Sequence, residues 1–180
     1  MEQFDIAICG YGPVGSTFAG LMGKLGHKVL VIEKNSGPSP TARAINTDGE
    51  QLRTFDRLGI AERVVENSNE IHRVHFSDAE LKPIQTIDQP IGVSAMGWPN
   101  QILFYQPELE GFIRSSVEAI ENVAIKEGTE LLDFKDDENG VTLQCKSSSG
   151  TEEYRTKFLI GCDGASSSVR KKLQVNLDDL

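Results

Sequence analysis

Long hydrophobic runs are missing from this chain. No apolar stretch among its 180 residues approaches the ~20 residues of a membrane span, and the opening Met1-Glu2-Gln3-Phe4-Asp5 lacks the basic region of a signal peptide. A cytoplasmic location is the expectation. Positive charge is also short: 18 lysines and arginines against 27 acidic residues leave a formal net charge of −9. Such a surface repels nucleic acid and anionic membranes at long range, so neither is expected as a partner. Cysteine is scarce, and Cys9, Cys145 and Cys162 are odd in number and unclustered. They read as small buried hydrophobes rather than a disulfide or a metal site. His27, His72 and His75 show no ligand spacing with a cysteine or carboxylate cluster, so no metal is expected. Internal repeats and low-complexity segments are lacking too, and the length suits one domain with a sizeable core.

What is present is concentrated near the N-terminus. A short apolar strand, Ile6-Ala7-Ile8-Cys9, runs into Gly10-Tyr11-Gly12-Pro13-Val14-Gly15, then a helical stretch, a second strand Val29-Leu30-Val31-Ile32, and Glu33 followed by Lys34. In such a βαβ unit Gly10 turns the chain sharply, Gly12 leaves a pyrophosphate room to approach the backbone, and Gly15 lets the helix pack closely on the sheet. The helix N-terminus, opened by Pro13 and Val14, offers N–H groups and a partial positive charge to phosphates. Glu33 ends the second strand, where a carboxylate accepts hydrogen bonds from both hydroxyls of an adenosine ribose. A 2′-phosphate would meet a like charge there, so the bound nucleotide should be FAD or NAD rather than NADP.

Further along, the helix after the glycines carries Val14, Phe18, Leu21, Met22 and Leu25 at helical spacing, stops at Gly26, and has small residues at Gly15, Ala19 and Gly23 for close approach to the sheet. Residues 35–40 break regular structure and lead to Thr41-Ala42-Arg43-Ala44-Ile45. Thr47-Asp48-Gly49-Glu50 has the spacing of a capping box, opening a helix that carries Leu52, Phe55 and Leu58 and stops at Gly59. Strand-like alternation covers residues 72–77 and 81–87, Pro83 placing the second at a sheet edge. Residues 88–101 read as a long irregular loop, in which Trp98 either stacks on a ligand or packs. A short strand over 102–105 precedes a helix with Pro107 in its first turn and an apolar face of Leu109, Phe112, Ile113, Val117 and Ile120. Three strands are expected at roughly 124–134, 140–146 and 154–162, with hairpin turns at Asp136–Gly140 and Ser147–Gly150. Phe158-Leu159-Ile160-Gly161-Cys162 is apolar without alternation, as in a strand buried between layers, and a helix over 166–173 follows Asp163-Gly164.

Three separated motifs agree: the Gly10–Gly15 turn with Glu33, the Arg43-Ala44 segment, and Cys162-Asp163-Gly164-Ala165-Ser166-Ser167-Ser168-Val169-Arg170. Together they make the chain resemble the FAD-dependent aromatic hydroxylases, the single-component flavoprotein monooxygenases of the para-hydroxybenzoate and phenol hydroxylase type. Arg43-Ala44-Ile45 with Gln51-Leu52-Arg53, and Gly97-Trp98-Pro99 with Gln106-Pro107, are similar in wording to the 3-(3-hydroxyphenyl)propionate hydroxylases. The resemblance implies an α/β, Rossmann-like FAD-binding domain with a parallel central sheet and an antiparallel β-meander. It also implies a flavin reduced by NAD(P)H that hydroxylates a phenolic or related aromatic substrate, with the protein positioning the cofactor and excluding water. No side chain here is needed as a nucleophile or base.

The resemblance also assigns roles. Arg43 would bring a fixed positive charge to the flavin or diphosphate, and Gln106 would hydrogen-bond the FAD. Asp163, with Gly164, would hold ribityl or ribose hydroxyls at a strand's C-terminal end. Arg170 would support that motif or meet NAD(P)H. Each has a plainer alternative: Arg43 and Arg170 as surface charges, Gln106 as a helix-start residue, and Asp163 as a cap for the following helix. Members of the family continue beyond this point with a substrate domain and a Gly-Asp segment. Residues 1–180 are therefore expected to be a truncated FAD-binding domain, inactive alone, prone to self-association or needing a partner chain for the missing segment. A non-catalytic FAD- or NAD-binding module, acting as a partner subunit, is the alternative, and an NAD-dependent dehydrogenase a weaker one.

Overall fold

The computed structural model describes residues 2–38 and 40–178. In chain order its elements are strand β1 (Glu2–Cys9), helix α1 (Pro13–Lys24), β2 (Val29–Ile32), β3 (Asn46–Asp48), α2 (Gly49–Leu58), α3 (Ala61–Glu66), β4 (Asn69–Glu70), β5 (Arg73–Ser77), β6 (Pro83–Asp88), β7 (Gln101–Leu103), α4 (Gln106–Glu118), β8 (Val123–Lys126), β9 (Glu130–Asp137), β10 (Gly140–Ser147), β11 (Gly150–Gly161) and α5 (Ser168–Lys172). They form two units, residues 1–39 with 113–180, and residues 40–112, the division falling inside α4.

The first unit is built on a six-stranded sheet in the order β8-β2-β1-β11-β10-β9. Its first four strands are parallel, and β11, β10 and β9 continue as an antiparallel meander. The apolar runs of β1 and β2 need cover on both faces, and Ala7, Ile8 and all four residues of β2 are buried. Phe4, Leu30, Ile32, Leu143 and Tyr154 are among the side chains of one core face, where the rings of Phe4 and Tyr154 meet edge to face at 6.2 Å. Burying one such side chain is worth ~1.5–3 kcal/mol. Cys9 pairs with both Ile32 and Gly161, so β1, β2 and β11 end at one level. That shared edge positions the candidate site.

Helix α1 docks through its small residues. Gly15, Ser16, Ala19, Gly20 and Gly23 are buried, whereas Val14 is 71% exposed and Leu25 is also exposed. Phe18, Leu21 and Met22 are half-buried, so the large apolar residues flank the contact instead of making it. A Cβ on Gly23 would lie 2.5 Å from a Val123 methyl, which shows how close the helix comes.

Two expectations for this unit are corrected. The single strand anticipated over 124–134 is two strands at opposite edges of the sheet, β8 beside β2 and β9 beside β10. Gly128, at φ +64, turns the chain between them in a conformation that favours glycine. The segment 158–162 was expected to be fully buried, yet Phe158 is 63% exposed and Leu159, Ile160 and Cys162 are half-buried. Its main chain pairs with β1 as an apolar parallel strand should, but pairing satisfies the backbone without covering the faces.

In the second unit, β3, β7 and β4 form a small antiparallel sheet in the order β3-β7-β4. Helix α2 buries Leu52, Phe55 and Leu58 and stops at Gly59 as expected. Its cap is Asp48 rather than Thr47: a carboxylate oxygen of Asp48 accepts from the Gln51 N–H at 2.9 Å, one residue later than the capping-box spacing implied. Helix α3 had no periodic signal because it is only six residues long, and it is held by buried Ile60, Ala61 and Val64. Strands β5 and β6 form a two-stranded sheet with Pro83 at the start of the second. The loop between β6 and β7 is irregular, and half-buried Trp98 closes a turn by accepting from the Ser94 N–H at 2.9 Å.

Among the described residues, no helix is long and apolar enough to cross a membrane. No group of three or more metal-ligating side chains occurs among them either.

Candidate functional site

The site begins where β1 ends. Gly10 has φ +104, and a Cβ there would fall 2.3 Å from the Cys162 carbonyl oxygen, so only glycine fits both the backbone angle and the space. The Gly10 N–H donates to the Ile32 carbonyl at 2.8 Å, and the Cys162 N–H donates to the Cys9 carbonyl at 2.7 Å. These bonds splice the glycine turn between the ends of β2 and β11. Gly15 is equally constrained, since its Cβ would lie 2.0 Å from the Gly10 carbonyl oxygen. Gly12 differs from both: among the described residues nothing comes within 4 Å of the Cβ it lacks. The middle of the turn faces open space.

Helix α1 starts from Gly12, with Pro13 in its first turn, no side-chain cap and no acidic residue in that turn among the described residues. Twelve residues of aligned peptide dipoles therefore end at uncapped N–H groups beside the open face of Gly12. An anion suits such an end. Glu33 closes the other side. One oxygen of its carboxylate accepts from the Tyr11 N–H at 2.8 Å, and the other accepts from the main-chain and side-chain N–H groups of Asn35 at 2.8 and 2.9 Å. The turn thus arranges its charge in two parts, a positive helix end and a fixed carboxylate. Lys34 follows it, exposed.

Asp163 comes to the same edge on the end of β11. One oxygen accepts from the Ser167 hydroxyl at 2.5 Å, and the other from the Ser168 N–H and hydroxyl and the Val169 N–H at 2.7, 2.9 and 3.2 Å. Its carboxylate therefore anchors the start of α5, and Gly164 follows at φ +81. Burial works against the charged form, but the hydrogen bonds from Ser167, Ser168 and Val169 outweigh it and hold the Asp163 carboxyl below the usual aspartate range. Arg170 gives its guanidinium to the Ala165 and Val175 carbonyls, both at 3.2 Å. Cys9, beside the turn, has its thiol pushed up to about 12, by burial first and then by the charge of Asp163. It stays neutral and behaves as a small core residue.

Arg43 and Gln106 meet in the second unit. The buried Gln106 side-chain oxygen accepts from the Arg43 and Ala44 N–H groups at 2.6 and 2.8 Å, and its amide nitrogen donates to the buried Glu110 at 2.7 Å. Glu110 can only accept when ionised, so it fixes which end of the amide faces the Arg43 segment. The Arg43 side chain is left exposed.

Sequence reasoning missed one contributor. Arg114, on α4, donates to the Tyr11 carbonyl at 2.9 Å and ion-pairs with Glu127. Its distance from the glycines along the chain left no signal, because only folding brings that turn of α4 to the end of β1.

The model of the FAD binding domain family matches residues 3–179. Among curated relatives, a probable NADH-specific resorcinol 4-hydroxylase of Rhodococcus jostii (strain RHA1) is 33% identical, over 99% of this chain and 34% of its own length. The 3-(3-hydroxy-phenyl)propionate/3-hydroxycinnamic acid hydroxylase of Escherichia coli (strain K12 / DH10B) is also 33% identical, over 97% of this chain and 31% of its own. The chain spans about a third of the length of these curated relatives. Among solved structures, p-nitrophenol 4-monooxygenase PnpA from Pseudomonas putida DLL-E4 superposes with a TM-score of 0.92 at 25% identity, covering 100% of this chain and 46% of that one. The flavin-dependent monooxygenase PieE, solved with FAD and substrate, gives 0.85 at 25% identity, covering 99% of this chain and 33% of that one.

Proposed function

The chain belongs to the FAD binding domain family, and from that premise we propose that it is the FAD-holding part of an NAD(P)H-dependent monooxygenase that hydroxylates a phenolic or related aromatic ring. The open face of Gly12 between the uncapped end of α1 and the Glu33 carboxylate carries this reading. An adenosine diphosphate suits that charge pattern, its phosphates at the helix end and its ribose at the carboxylate. The two relatives named for hydroxylation of phenolic compounds, each aligned along nearly the whole chain, support the reaction class. When bound, the flavin supplies the redox chemistry, taking reducing equivalents from NAD(P)H and activating oxygen for insertion into the ring.

The chain's own residues bind and orient. Gly12, Pro13, Val14 and Gly15 present the helix end to the diphosphate, with Gly10 setting the turn. Glu33 takes a ribose hydroxyl through the one acceptor position, of about four, that its three bonds to Tyr11 and Asn35 leave open, and Lys34 adds positive charge next to it. Asp163 acts mainly through structure: its oxygens tie down α5, so Gly164 and the following main chain are held in a fixed shape. Arg170 supports that shape through the Ala165 and Val175 carbonyls instead of reaching toward NAD(P)H. Gln106 holds the Arg43-Ala44 main chain and leaves the Arg43 guanidinium exposed. The cytoplasm is the proposed place of action.

Titration of FAD with the purified chain, followed by flavin fluorescence, tests the reading. Glu33→Arg should weaken FAD binding by roughly tenfold or more through the lost ribose hydrogen bond and the reversed charge. Equal affinity for both proteins, or no FAD binding by the parent chain, would remove the proposal.

A further inference from the structure

Tyr11 is the middle residue of Gly10-Tyr11-Gly12, yet it is only 1% exposed, and its ring lies under the Arg114 guanidinium at 4.3 Å. We propose that Arg114 is a positioning residue which locks the glycine turn in its diphosphate-receiving shape by gripping Tyr11 through both its carbonyl and its ring. This inference rests on the nucleotide-binding reading above.

The geometry holds Tyr11 from two sides. Its N–H donates to Glu33 at 2.8 Å and its carbonyl accepts from Arg114 at 2.9 Å, so the peptide groups flanking this residue cannot rotate without breaking a charge-assisted bond. Arg114 is itself fixed. It is 8% exposed, it ion-pairs with Glu127, and Glu127 also accepts from the Gly37 N–H at 3.2 Å in the segment after β2. The two grips on Tyr11 thus converge on the same stretch of chain, since Glu33 and Gly37 both follow β2. Gly12 and the start of α1, immediately beyond, remain open for a ligand.

A simple ion pair does not account for this placement. Only Arg114 is buried in the pair, Glu127 being exposed, so pairing alone gives no reason to take the guanidinium out of water. Arg114 spends its guanidinium on three partners at once, the Glu127 carboxylate, the Tyr11 carbonyl and the Tyr11 ring face, as a planar fork can and an ammonium cannot. The Tyr11 hydroxyl and the Arg114 Nε are both buried without a hydrogen-bond partner among the described residues, so Arg114 acts through its two terminal nitrogens and its face. The ring is the working part.

The test compares the parent chain with Arg114→Met, Arg114→Lys and Tyr11→Phe, measuring dissociation constants for FAD, ADP and adenosine, and amide hydrogen exchange across residues 10–15 without ligand. Arg114→Met should raise the constants for FAD and ADP by roughly tenfold while leaving adenosine, which has no diphosphate, within about twofold. Exchange at the Tyr11 amide should quicken, Arg114→Lys should behave like Arg114→Met, and Tyr11→Phe, which keeps the ring under Arg114, should retain the parent's slow exchange at that amide. Should Arg114→Met fail to fold, Arg114→Lys carries the same readings. Equal weakening of ADP and adenosine, unchanged exchange in the turn, or full recovery with lysine would overturn the inference. Failure of the parent chain to bind any nucleotide would overturn the proposed function instead, and exchange in the ligand-free turn would still decide the role of Arg114.

Discussion

Two glycines of one motif, Gly10 and Gly12, have different reasons to be glycine. Gly10 is dictated by the fold, because its positive φ and the Cys162 carbonyl leave no place for a side chain. Gly12 is free of both constraints, and what excludes a side chain there is the ligand proposed to lie against it. Gly10→Ala should therefore cost about 3 kcal/mol of stability through backbone strain and overpacking. Gly12→Ala should unfold within about 0.5 kcal/mol of the parent but bind FAD more weakly, because its only defect is the added methyl in the ligand's path. Urea unfolding alongside FAD titration separates the two, and a large stability loss at Gly12 would show that the turn is shaped by packing alone. The motif identified both residues in the sequence. Which glycine serves the fold and which the ligand became visible only when the end of β11 was seen against Gly10.

At the scale of elements, Asp163 shows how a motif residue can act by organising a helix. It ends β11 and takes four hydrogen bonds from the start of α5, so Asp163→Ala should cost ~1 kcal/mol, as the loss of a helix cap does. The pH dependence has a definite sign. Because its folded-state value is depressed below the ordinary 3.8, the contribution of the charged carboxylate is complete above that value and fades as acidification carries the pH below it. Asp163→Asn should therefore narrow its stability deficit against the parent between pH 6 and about pH 3; a deficit constant across that range, read from urea midpoints, would contradict the linkage. Helix α1 and the strands β8 and β9 show where periodicity misleads. The large apolar residues of α1 mark a helix correctly, but the glycine and alanine stripe decides which face docks. The single strand expected over 124–134 likewise hides a change of edge, since a strand pattern reports burial and not pairing partner.

For the molecule as a whole, β11 carries the main consequence. Phe158 is exposed although its strand is paired, and Leu132 on β9 is exposed as well. Apolar surface on a sheet favours association, so the chain should sediment above monomer mass at micromolar concentration, and Phe158→Ser should shift it toward monomer. A monomeric parent chain would refute this. The sequence by itself determined the βαβ unit with its glycine turn and Glu33, because those features rest on local spacing and hydrophobic period, and the resemblance of its motifs to the FAD-dependent aromatic hydroxylases implied the parallel sheet with a meander. Tertiary structure alone decided that Gln106 holds the Arg43 segment, that Asp163 spends its carboxylate on α5, and that Arg114 reaches the Tyr11 carbonyl. Local patterns record how a segment fits an element, whereas these contacts join residues far apart along the chain, and only the folded backbone sets the distance between them.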